Sequence, residues 1–220
     1  MHTTEIPIGY DVLAANSELA RSNRNKLKMY GITAFNIMGA IGSGKTLLIE
    51  KTIERLGKSQ RIGAIAGDVV ARIDAARFEK YRIPTIGLNT GKECHLDAHL
   101  VEHGLLKLPL DSLDILFIEN VGNLICPSDY ELGEHKRVVV VSVSEGDDIV
   151  EKHPVIFSTA DLIIVNKIDI AEAVNADADK MVRDARLINP RIDVLKISLK
   201  TGEGFDEWLD FVNRSIKRIG

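Results

Sequence analysis

From residue 31 onward, short apolar runs alternate along the chain with polar segments long enough to form helices. The runs are rich in valine, isoleucine and leucine, and several are continuous, which is typical of strands covered on both faces. Strands are predicted at residues 33–38, 62–66, 83–88, 113–119, 138–143, 162–165 and 194–198. Helices are predicted between most of them, at residues 45–57, 69–80, 95–107, 171–186 and 205–218. The alternation favours an α/β fold with a doubly wound, mostly parallel sheet and helices on both faces.

The first 30 residues have a different, mixed and polar pattern with only scattered leucines. We interpret residues 1–30 as an N-terminal helical arm and residues 31–220 as one domain that carries the functional sites. Residues 1–10 lack the charged and apolar regions of a signal peptide. No apolar run approaches the ~20 residues that would cross a bilayer, so no membrane association is expected.

Composition narrows the class of protein further. The chain has 220 residues, of which 45% are hydrophobic and 27% charged, and this suits a globular protein with a sizeable core. The formal net charge of −4 argues against nucleic acid as a partner. Two cysteines cannot build a disulfide framework, so a reducing, cytoplasmic setting is expected.

The segment after the first predicted strand matches the G-x-x-x-x-G-K-[ST] pattern of phosphate-binding loops, and it lies between a strand and a helix as the motif requires. It consists of Gly39, Ala40, Ile41, Gly42, Ser43, Gly44, Lys45 and Thr46. The glycines allow backbone N–H groups to surround phosphate oxygens, and the helix adds its N-terminal dipole. Lys45 is expected to reach the β- and γ-phosphates and Thr46 to bind Mg²⁺, both in catalytic roles. The alternative is a glycine-rich turn that matches the pattern by chance.

Acidic side chains follow or end two other predicted strands, at the edge where such sheets bind ligands. Asp68 follows the second strand, Glu119 ends the fourth, and Gly122 lies three residues further on. Both carboxylates are expected to bind Mg²⁺ and to serve catalysis, with Glu119 in place of the usual aspartate. Gly122 is expected to offer its N–H to a γ-phosphate, and Asp68 or Asp74 to position the attacking water. The alternative is that these are ordinary polar residues at strand ends.

The sixth predicted strand is followed by an N-K-x-D motif, which indicates the identity of the base. Asp169 can accept hydrogen bonds from guanine N1–H and the 2-amino group together, whereas adenine offers no such pair of donors. Lys167 is expected to lie over the base and Asn166 to join the two loops. A further short segment resembles the loop that packs on guanine in GTPases, and it consists of Ser198, Leu199 and Lys200. Together with the phosphate loop, the motif favours GTP and GDP over adenine nucleotides.

Cysteine and histidine residues concentrate in the middle of the chain. If residues 95–107 are helical, His95, His99 and His103 share one face, and Cys94 lies at the start of the helix, where the dipole favours a thiolate. The second cysteine, Cys126, follows the strand that ends at Glu119. Thiolate and imidazole suit Ni²⁺, Zn²⁺ or copper rather than Mg²⁺. The alternatives are a buried inert thiol and a solvated histidine face.

Two long segments of the sequence closely resemble the HypB family of P-loop GTPases, of the SIMIBI class, which help to insert nickel into nickel–iron hydrogenase. These segments are residues 90–99 and 118–127. The resemblance implies that Cys94, His95 and Cys126 bind Ni²⁺, or Zn²⁺ in the same site, at a dimer interface, with His99 as a less certain ligand. It also implies the hydrogenase large subunit and an accessory nickel chaperone as partners.

One chain supplies three expected metal ligands, and a two-fold dimer would double them across its interface, so a homodimer favoured by GTP is expected. Three other functions stay open. A urease-type nickel GTPase would carry a Cys-Pro-His metal motif, whereas this chain has Glu-Cys-His and a separate Cys-Pro. A P-loop kinase would not need the N-K-x-D motif. A nucleotide-gated interaction protein with negligible turnover would share every motif described above.

Overall fold

The structure, a computed structural model, describes residues 8–68, 72–91 and 93–217. Seven strands form one sheet, in the spatial order β3-β2-β4-β1-β5-β6-β7. The strands are β1 Thr33–Met38, β2 Ile62–Asp68, β3 Thr85–Asn89, β4 Ile115–Glu119, β5 Lys136–Ser142, β6 Leu162–Asn166 and β7 Asp193–Ile197. Every neighbouring pair of these strands is parallel. The predicted fold class is therefore confirmed, with a sheet that is parallel throughout the described residues.

Helices lie between most of the strands, as the alternation predicts. They are α1 Ile8–Met29, α2 Lys45–Leu56, α3 Arg72–Glu79, α4 Ala98–Leu105, α5 Ile149–Lys152, α6 Pro154–Ser158, α7 Ala178–Ile188 and α8 Phe205–Lys217. The short helices α5 and α6 were not predicted, and residues 69–71 and 218 of two predicted helices lie outside the described residues. No helix in the described part of the chain combines the length and the apolarity needed to span a membrane.

Two helices begin later than the apolar pattern predicts, because acidic side chains cap them. Helix α4 was predicted from residue 95, but Asp97 accepts a hydrogen bond from the Leu100 N–H at 2.7 Å and fixes the first turn after itself. Helix α7 was predicted from residue 171, but Asp177 accepts from the N–H groups of Asp179 and Lys180. The residues ahead of α7 form short 3₁₀ turns instead.

Helix α1 is joined to the sheet domain by buried asparagines. Asn23 Nδ2 donates to the carbonyls of Ala98 and Leu132 at 2.8 and 3.0 Å, and Leu27 is fully buried in the core beneath α4. Asn16 makes a further contact, because its side-chain oxygen accepts a hydrogen bond from the Ala98 N–H. The helical segment of the predicted arm is therefore packed on the domain. The boundary at residue 30 stays a prediction, and residues 1–7 lie outside the described residues.

The sheet separates two apolar layers. Along β1, Phe35 and Ile37 face the layer that contains Trp208 of α8, whereas Ala34 faces the layer beneath α1 and α4. The Trp208 indole N–H donates to Thr52 Oγ1 of α2 at 2.8 Å, which satisfies the one polar atom of that side chain. Strand β1 lies at the centre, where the order of the strands reverses, and ligands of doubly wound sheets bind beyond the carboxyl ends at this point.

A histidine side chain, rather than a backbone carbonyl, accepts a backbone hydrogen bond where β1 meets the start of β5. His135 Nδ1 accepts a hydrogen bond from the Ala34 N–H at 3.1 Å, so the imidazole is neutral in this position. Burial, reinforced by the positive charges of Arg24, Lys136 and Lys28, lowers the pKa of His135 to about 4. The unfolded chain, in which a histidine titrates near 6.5, therefore takes up the proton first as the pH falls.

We expect the stability that His135 contributes to be lost as the pH is lowered from about 6.5 to about 4, because at this group protons bind preferentially to the unfolded state. The raised pKa of Glu119 acts in the opposite direction in the same window, so the wild type is compared with a variant that lacks the histidine. Circular dichroism melts across the window measure this. The His135→Gln variant, whose amide oxygen accepts from the Ala34 N–H without titrating, lacks this contribution, so the melting temperature of the wild type should fall relative to that of the variant as the pH is lowered. His153→Gln, at a partly buried histidine elsewhere, is the matched control and should keep the wild-type slope. Equal slopes in all three proteins would contradict the assignment.

Candidate functional site

The phosphate loop joins the end of β1 to the start of α2 in a conformation that requires glycine. Gly39, Gly42 and Gly44 have φ angles of 145°, 81° and 110°, in the region that other residues rarely adopt. A Cβ on Gly39 would lie 2.1 Å from the Val140 carbonyl oxygen of β5, so the loop passes directly against the sheet. Helix α2 begins at Lys45, and its first N–H groups point toward the loop.

Lys45 is held by the loop itself. Its Nζ donates to the carbonyl oxygens of Gly39 and Ala40 at 3.1 and 3.0 Å. Burial lowers the pKa of Lys45, against the opposing effect of nearby carboxylates, of which Glu119 is the strongest. The ammonium is thus partly desolvated in a position where an anion with more acceptor oxygens can replace the two carbonyls.

A buried carboxylate faces the start of α2. The Thr46 hydroxyl donates to Glu119 Oε1 at 2.7 Å and lies 3.5 Å from Asp74 Oδ1. Glu119 Oε2 is buried and has no hydrogen-bond partner among the described residues. Burial raises the pKa of Glu119 to about 7, although the Thr46 hydrogen bond and the Lys45 charge lower it. An unpaired carboxylate oxygen beside a hydroxyl is a donor set that fits Mg²⁺, which prefers oxygen ligands.

These groups line a cavity of about 340 Å³ beyond the strand ends. Its walls include Lys45, Thr46, Asp68, Glu119 and Gly122, so the structure brings the predicted phosphate and Mg²⁺ residues together. Ile41, Gly42 and Gly44 complete the side formed by the loop.

The cavity is also lined by an arginine that takes part in an ion pair the sequence analysis did not assign. Arg77 of α3 lines the cavity, and its guanidinium pairs with Glu50 of α2, with Nε 2.9 Å from Oε1. This pair raises the pKa of Arg77 and ties α3, which carries Asp74, to the helix that carries Thr46. The sequence contained one signal for this ion pair. Glu50 is an acidic residue one helical turn after Thr46, on a face of α2 that packs inward.

The loop after β6 contacts the phosphate loop directly. Asn166 Nδ2 donates to the Ser43 carbonyl at 2.8 Å, and Asn166 Oδ1 accepts from the Leu199 N–H at 3.3 Å. A Cβ on Gly44 would lie 2.3 Å from Asn166 Nδ2, so glycine is required at this contact as well. Asn166 therefore joins three loops, those after β1, β6 and β7.

A second cavity of about 250 Å³ lies on the far side of this junction, and its walls include Lys167, Asp169 and Lys200. Asp169 Oδ1 accepts from the Ser198 hydroxyl at 2.7 Å, which fixes the carboxylate, and Lys200 Nζ lies 4.0 Å from Oδ2. Lys167 has a φ of 62°, a left-handed conformation that costs roughly 1–3 kcal/mol in a residue with a side chain. Such strain is typical of residues that the surrounding structure holds for binding.

Two sulfur atoms and one ring nitrogen lie close together where the loop ahead of α4 meets the connection that follows β4. Cys94 Sγ lies 2.6 Å from Cys126 Sγ and 3.9 Å from His95 Nδ1, and the ligand atoms of all three residues lie within 4.8 Å of one another. Both cysteines are free thiols, and contact with Cys94, followed by burial, raises the pKa of Cys126. The His95 ring stacks on Tyr130 at 3.9 Å between centroids, a contact without a signal in the sequence.

The predicted helical face of three histidines is wrong for His95, whereas His99 and His103 do lie on one face of α4. Helix α4 begins at Ala98, so Cys94 and His95 lie in the loop before it. Cys94 is therefore not a residue of the first helical turn, where the dipole was expected to favour its thiolate. His99 is on the helix, where its ring lies 4.4 Å from that of His103 and its Nδ1 lies 4.0 Å from Glu102 Oε2. The structure does not bring His99 into the group formed by the two cysteines and His95.

Comparisons with known proteins identify a matching family model and several similar chains and structures. The model of the CobW/HypB/UreG nucleotide-binding domain matches residues 33–196. A probable hydrogenase maturation factor HypB of Methanocaldococcus jannaschii is 58% identical over 214 residues, which cover 97% of each chain. The crystal structure of hydrogenase maturation factor HypB from Archaeoglobus fulgidus is 57% identical, with a TM-score of 0.88 over 92% of this chain and 99% of that one. The crystal structure of HypB from Helicobacter pylori in complex with nickel is 31% identical, with a TM-score of 0.88 over 93% and 96%.

Proposed function

The chain belongs to the HypB family, within the CobW/HypB/UreG nucleotide-binding domains, and we propose that it hydrolyses GTP, binds nickel and assists nickel insertion into nickel–iron hydrogenase. One observation carries the proposal: the connection that follows β4 serves both sites. Glu119, at its start, is hydrogen-bonded to Thr46 of the phosphate loop, and Cys126, seven residues further on, lies against Cys94. A nucleotide and a thiolate-bound metal would therefore share one segment of backbone.

The proposed reaction is the attack of water on the γ-phosphate. The loop N–H groups and Lys45 would bind the phosphates and stabilise the charge that develops on them. Thr46 and Glu119 would hold Mg²⁺, with Asp68 as a further partner. Mg²⁺ held by these residues would supply positive charge that stabilises the negative charge developing on the phosphate. Asp68 and Asp74 both line this cavity, and Asp74 Oδ1 lies 3.5 Å from Thr46 Oγ1, so both stay candidates for positioning the water.

Nickel is the cargo in this proposal rather than a resident cofactor. Cys94, Cys126 and His95 supply two sulfurs and one nitrogen, a donor set that suits Ni²⁺ and also accepts Zn²⁺. The Helicobacter pylori relative, solved in complex with nickel, supports the assignment to this family of metals. Three ligands from one chain leave further coordination positions, and a second copy related by a two-fold axis would double the set.

The hydrogenase large subunit, as recipient, and an accessory nickel chaperone, as donor, are the proposed partners. Turnover measured with purified protein separates this function from the alternatives. GTP-dependent release of phosphate argues against a purely nucleotide-gated interaction protein. Phosphorylation of an added acceptor would instead indicate a kinase. Nickel transfer to urease rather than to hydrogenase would indicate the urease-type function.

The first prediction concerns guanine. The Asp169→Asn variant should lose roughly 100-fold or more in GTP affinity, because two hydrogen bonds to a charged acceptor are lost. It should gain affinity for xanthosine triphosphate, since the amide N–H can donate to the xanthine 2-carbonyl. Calorimetric titration with both nucleotides measures the exchange. Asp179→Asn, at an exposed aspartate paired with Lys196, is the control and should leave the preference unchanged. Equal wild-type affinities for ATP and GTP would refute the assignment of the base.

The second prediction concerns the thiol pair. The double variant Cys94→Ala, Cys126→Ala should lose most of its Ni²⁺ affinity, by about 100-fold or more, because both soft ligands are removed. Its GTP affinity should be retained, since neither cysteine lines the phosphate cavity. His99→Ala is the control and should bind Ni²⁺ as the wild type does. Wild-type Ni²⁺ stoichiometry in the double variant would show that the metal binds elsewhere.

The third prediction concerns coupling between nucleotide and metal. Because Gly122 and Cys126 lie in one connection, movement of this loop on GTP binding should move a metal ligand. We expect a non-hydrolysable GTP analogue to favour a dimer over the GDP state. The Ni²⁺ affinity should differ by about fivefold or more between the two states, and Ni²⁺ should change nucleotide affinity by the same factor. Sedimentation and metal titration in both states measure this. Identical mass and affinity in the two states would leave two independent sites.

A further inference from the structure

A polar residue occupies the middle of the central strand. Asn36 of β1 is fully buried and lies between Ile118 of β4 and Arg137 of β5 in the register of the sheet. Its neighbours along the strand are apolar and form the core. An unpaired amide at this depth would cost several kcal/mol, so its partners have to be accounted for.

On one side, Asn36 is bonded to the residue that directly follows Glu119. Asn36 Oδ1 accepts from Asn120 Nδ2 at 3.2 Å. Asn120 Oδ1 in turn accepts from the N–H groups of Leu96 and Val121, both at 3.0 Å. Leu96 follows His95 directly, and a Cβ on Gly67 of β2 would lie 2.5 Å from the Leu96 side chain. The loop that carries Cys94 and His95 is therefore fixed by Asn120 and packed tightly against β2.

On the other side, Asn36 leads to the turn that carries Cys126. Asn36 Nδ2 donates to Glu134 Oε1 at 3.3 Å, and Glu134 is buried with its Oε2 accepting from the Leu132 N–H at 2.7 Å. Arg137 Nε lies 3.2 Å from Glu134 Oε1, an ion pair without the alignment of a hydrogen bond. The same guanidinium donates through Nη2 to the carbonyls of Pro127 and Ser128 at 3.0 and 3.1 Å, in the 3₁₀ turn that begins at Cys126.

We propose that Asn36, with Asn120, Glu134 and Arg137, forms a buried relay that positions the two cysteine-bearing segments relative to each other and so sets the geometry of the metal site. The proposal rests on the proposed function, since it takes the two thiols as metal ligands. Neither Asn36 nor Glu134 contacts a thiol, and both act through the backbone that they hold. They are positioning residues.

Physical reasons favour a positioning role over a stabilising one. A buried ion pair and amide network contributes little net stability compared with apolar packing of the same shape, because its groups lose their hydration. It does impose a specific arrangement, since each donor must meet its own acceptor. Residues that hold metal ligands from outside the coordination sphere typically change metal affinity by about 10–100-fold when they are replaced.

The test exchanges the two central groups. In Asn36→Asp, a carboxylate oxygen faces the Glu134 carboxylate. In Glu134→Gln, the side chain has only one acceptor oxygen, so it turns its N–H donors toward either the Leu132 N–H or the Asn36 side chain. Each single variant should lose Ni²⁺ affinity by about tenfold or more and shift the sulfur-to-nickel charge-transfer band. In the double variant, the new carboxylate accepts from Asn120 and from the new amide, so most of the affinity and the wild-type band should return.

Thr52→Val is the matched control, because Thr52 is also fully buried and hydrogen-bonded but lies on the other face of the sheet, against Trp208. It should lower the melting temperature and leave the Ni²⁺ titration unchanged. If the single variants do not fold, Arg137→Lys provides the second test, since lysine keeps the charge but cannot bridge Glu134 and both carbonyls. It should lose Ni²⁺ affinity by about tenfold with GTP binding retained.

The outcomes separate this proposal from the proposed function. Wild-type protein that binds no Ni²⁺ through its thiols would overturn the proposed function. Wild-type protein that binds Ni²⁺, with folded relay variants of unchanged affinity and spectrum, would overturn only the relay. An equal loss of affinity in Thr52→Val, or a double variant that recovers nothing beyond its single parents, would also overturn it.

Discussion

The parallel direction of all seven described strands is the constraint on which the site depends. In such a sheet, every loop that follows a strand emerges at the same edge, so the loops after β1, β2, β4, β6 and β7 meet without any long excursion. The close approach of these loops is then possible only with residues that lack a Cβ. Gly39 and Gly44 show this, because a Cβ on Gly39 would overlap the Val140 carbonyl oxygen of β5 and a Cβ on Gly44 would overlap the Asn166 side chain. Functional side chains that are spread over more than 150 residues of sequence are therefore brought together by the parallel strand direction and by glycines at the close contacts.

The sequence predicted the strands, the phosphate loop and the strand-end residues, because these features depend on local pattern. A continuous Val/Ile/Leu run can be recognised wherever it lies, and a motif such as that ending in Lys45 contains its own context. Helix starts were predicted less well. Apolar spacing indicated a helix from residue 95, whereas a single hydrogen bond that Asp97 accepts from the Leu100 N–H moved its start to Ala98 and removed His95 from the helical face. Capping competes with periodicity over one turn, and spacing alone does not show which prevails.

Contacts between distant polar side chains were beyond the sequence analysis for a different reason. Asn36 in β1 resembles an interruption of an apolar run, and Asn23 in α1 is one of several polar residues in a mixed segment. Their partners lie 75 to 109 positions away in the case of Asn23 and 84 to 98 positions away in the case of Asn36. No local signal distinguishes an asparagine that will be buried and paired from one that will face solvent. The weak apolar pattern of α1 has the same origin, since part of its attachment to the domain is polar.

The polar groups around the two cavities differ in how completely hydrogen bonds within the chain satisfy them. Lys45 is bonded to two loop carbonyls and Asp169 to the Ser198 hydroxyl, so the loop and the base-side carboxylate already have fixed positions. A ligand would exchange these bonds for its own and would spend little free energy on ordering the loops, which is the advantage of preorganisation. Glu119 differs, because Oε2 has no partner among the described residues and the carboxylate is buried. An unpaired buried oxygen is destabilising on its own, and a cation bound beside Thr46 would relieve that cost. This unpaired carboxylate oxygen thus lies at the start of the connection that leads to Cys126.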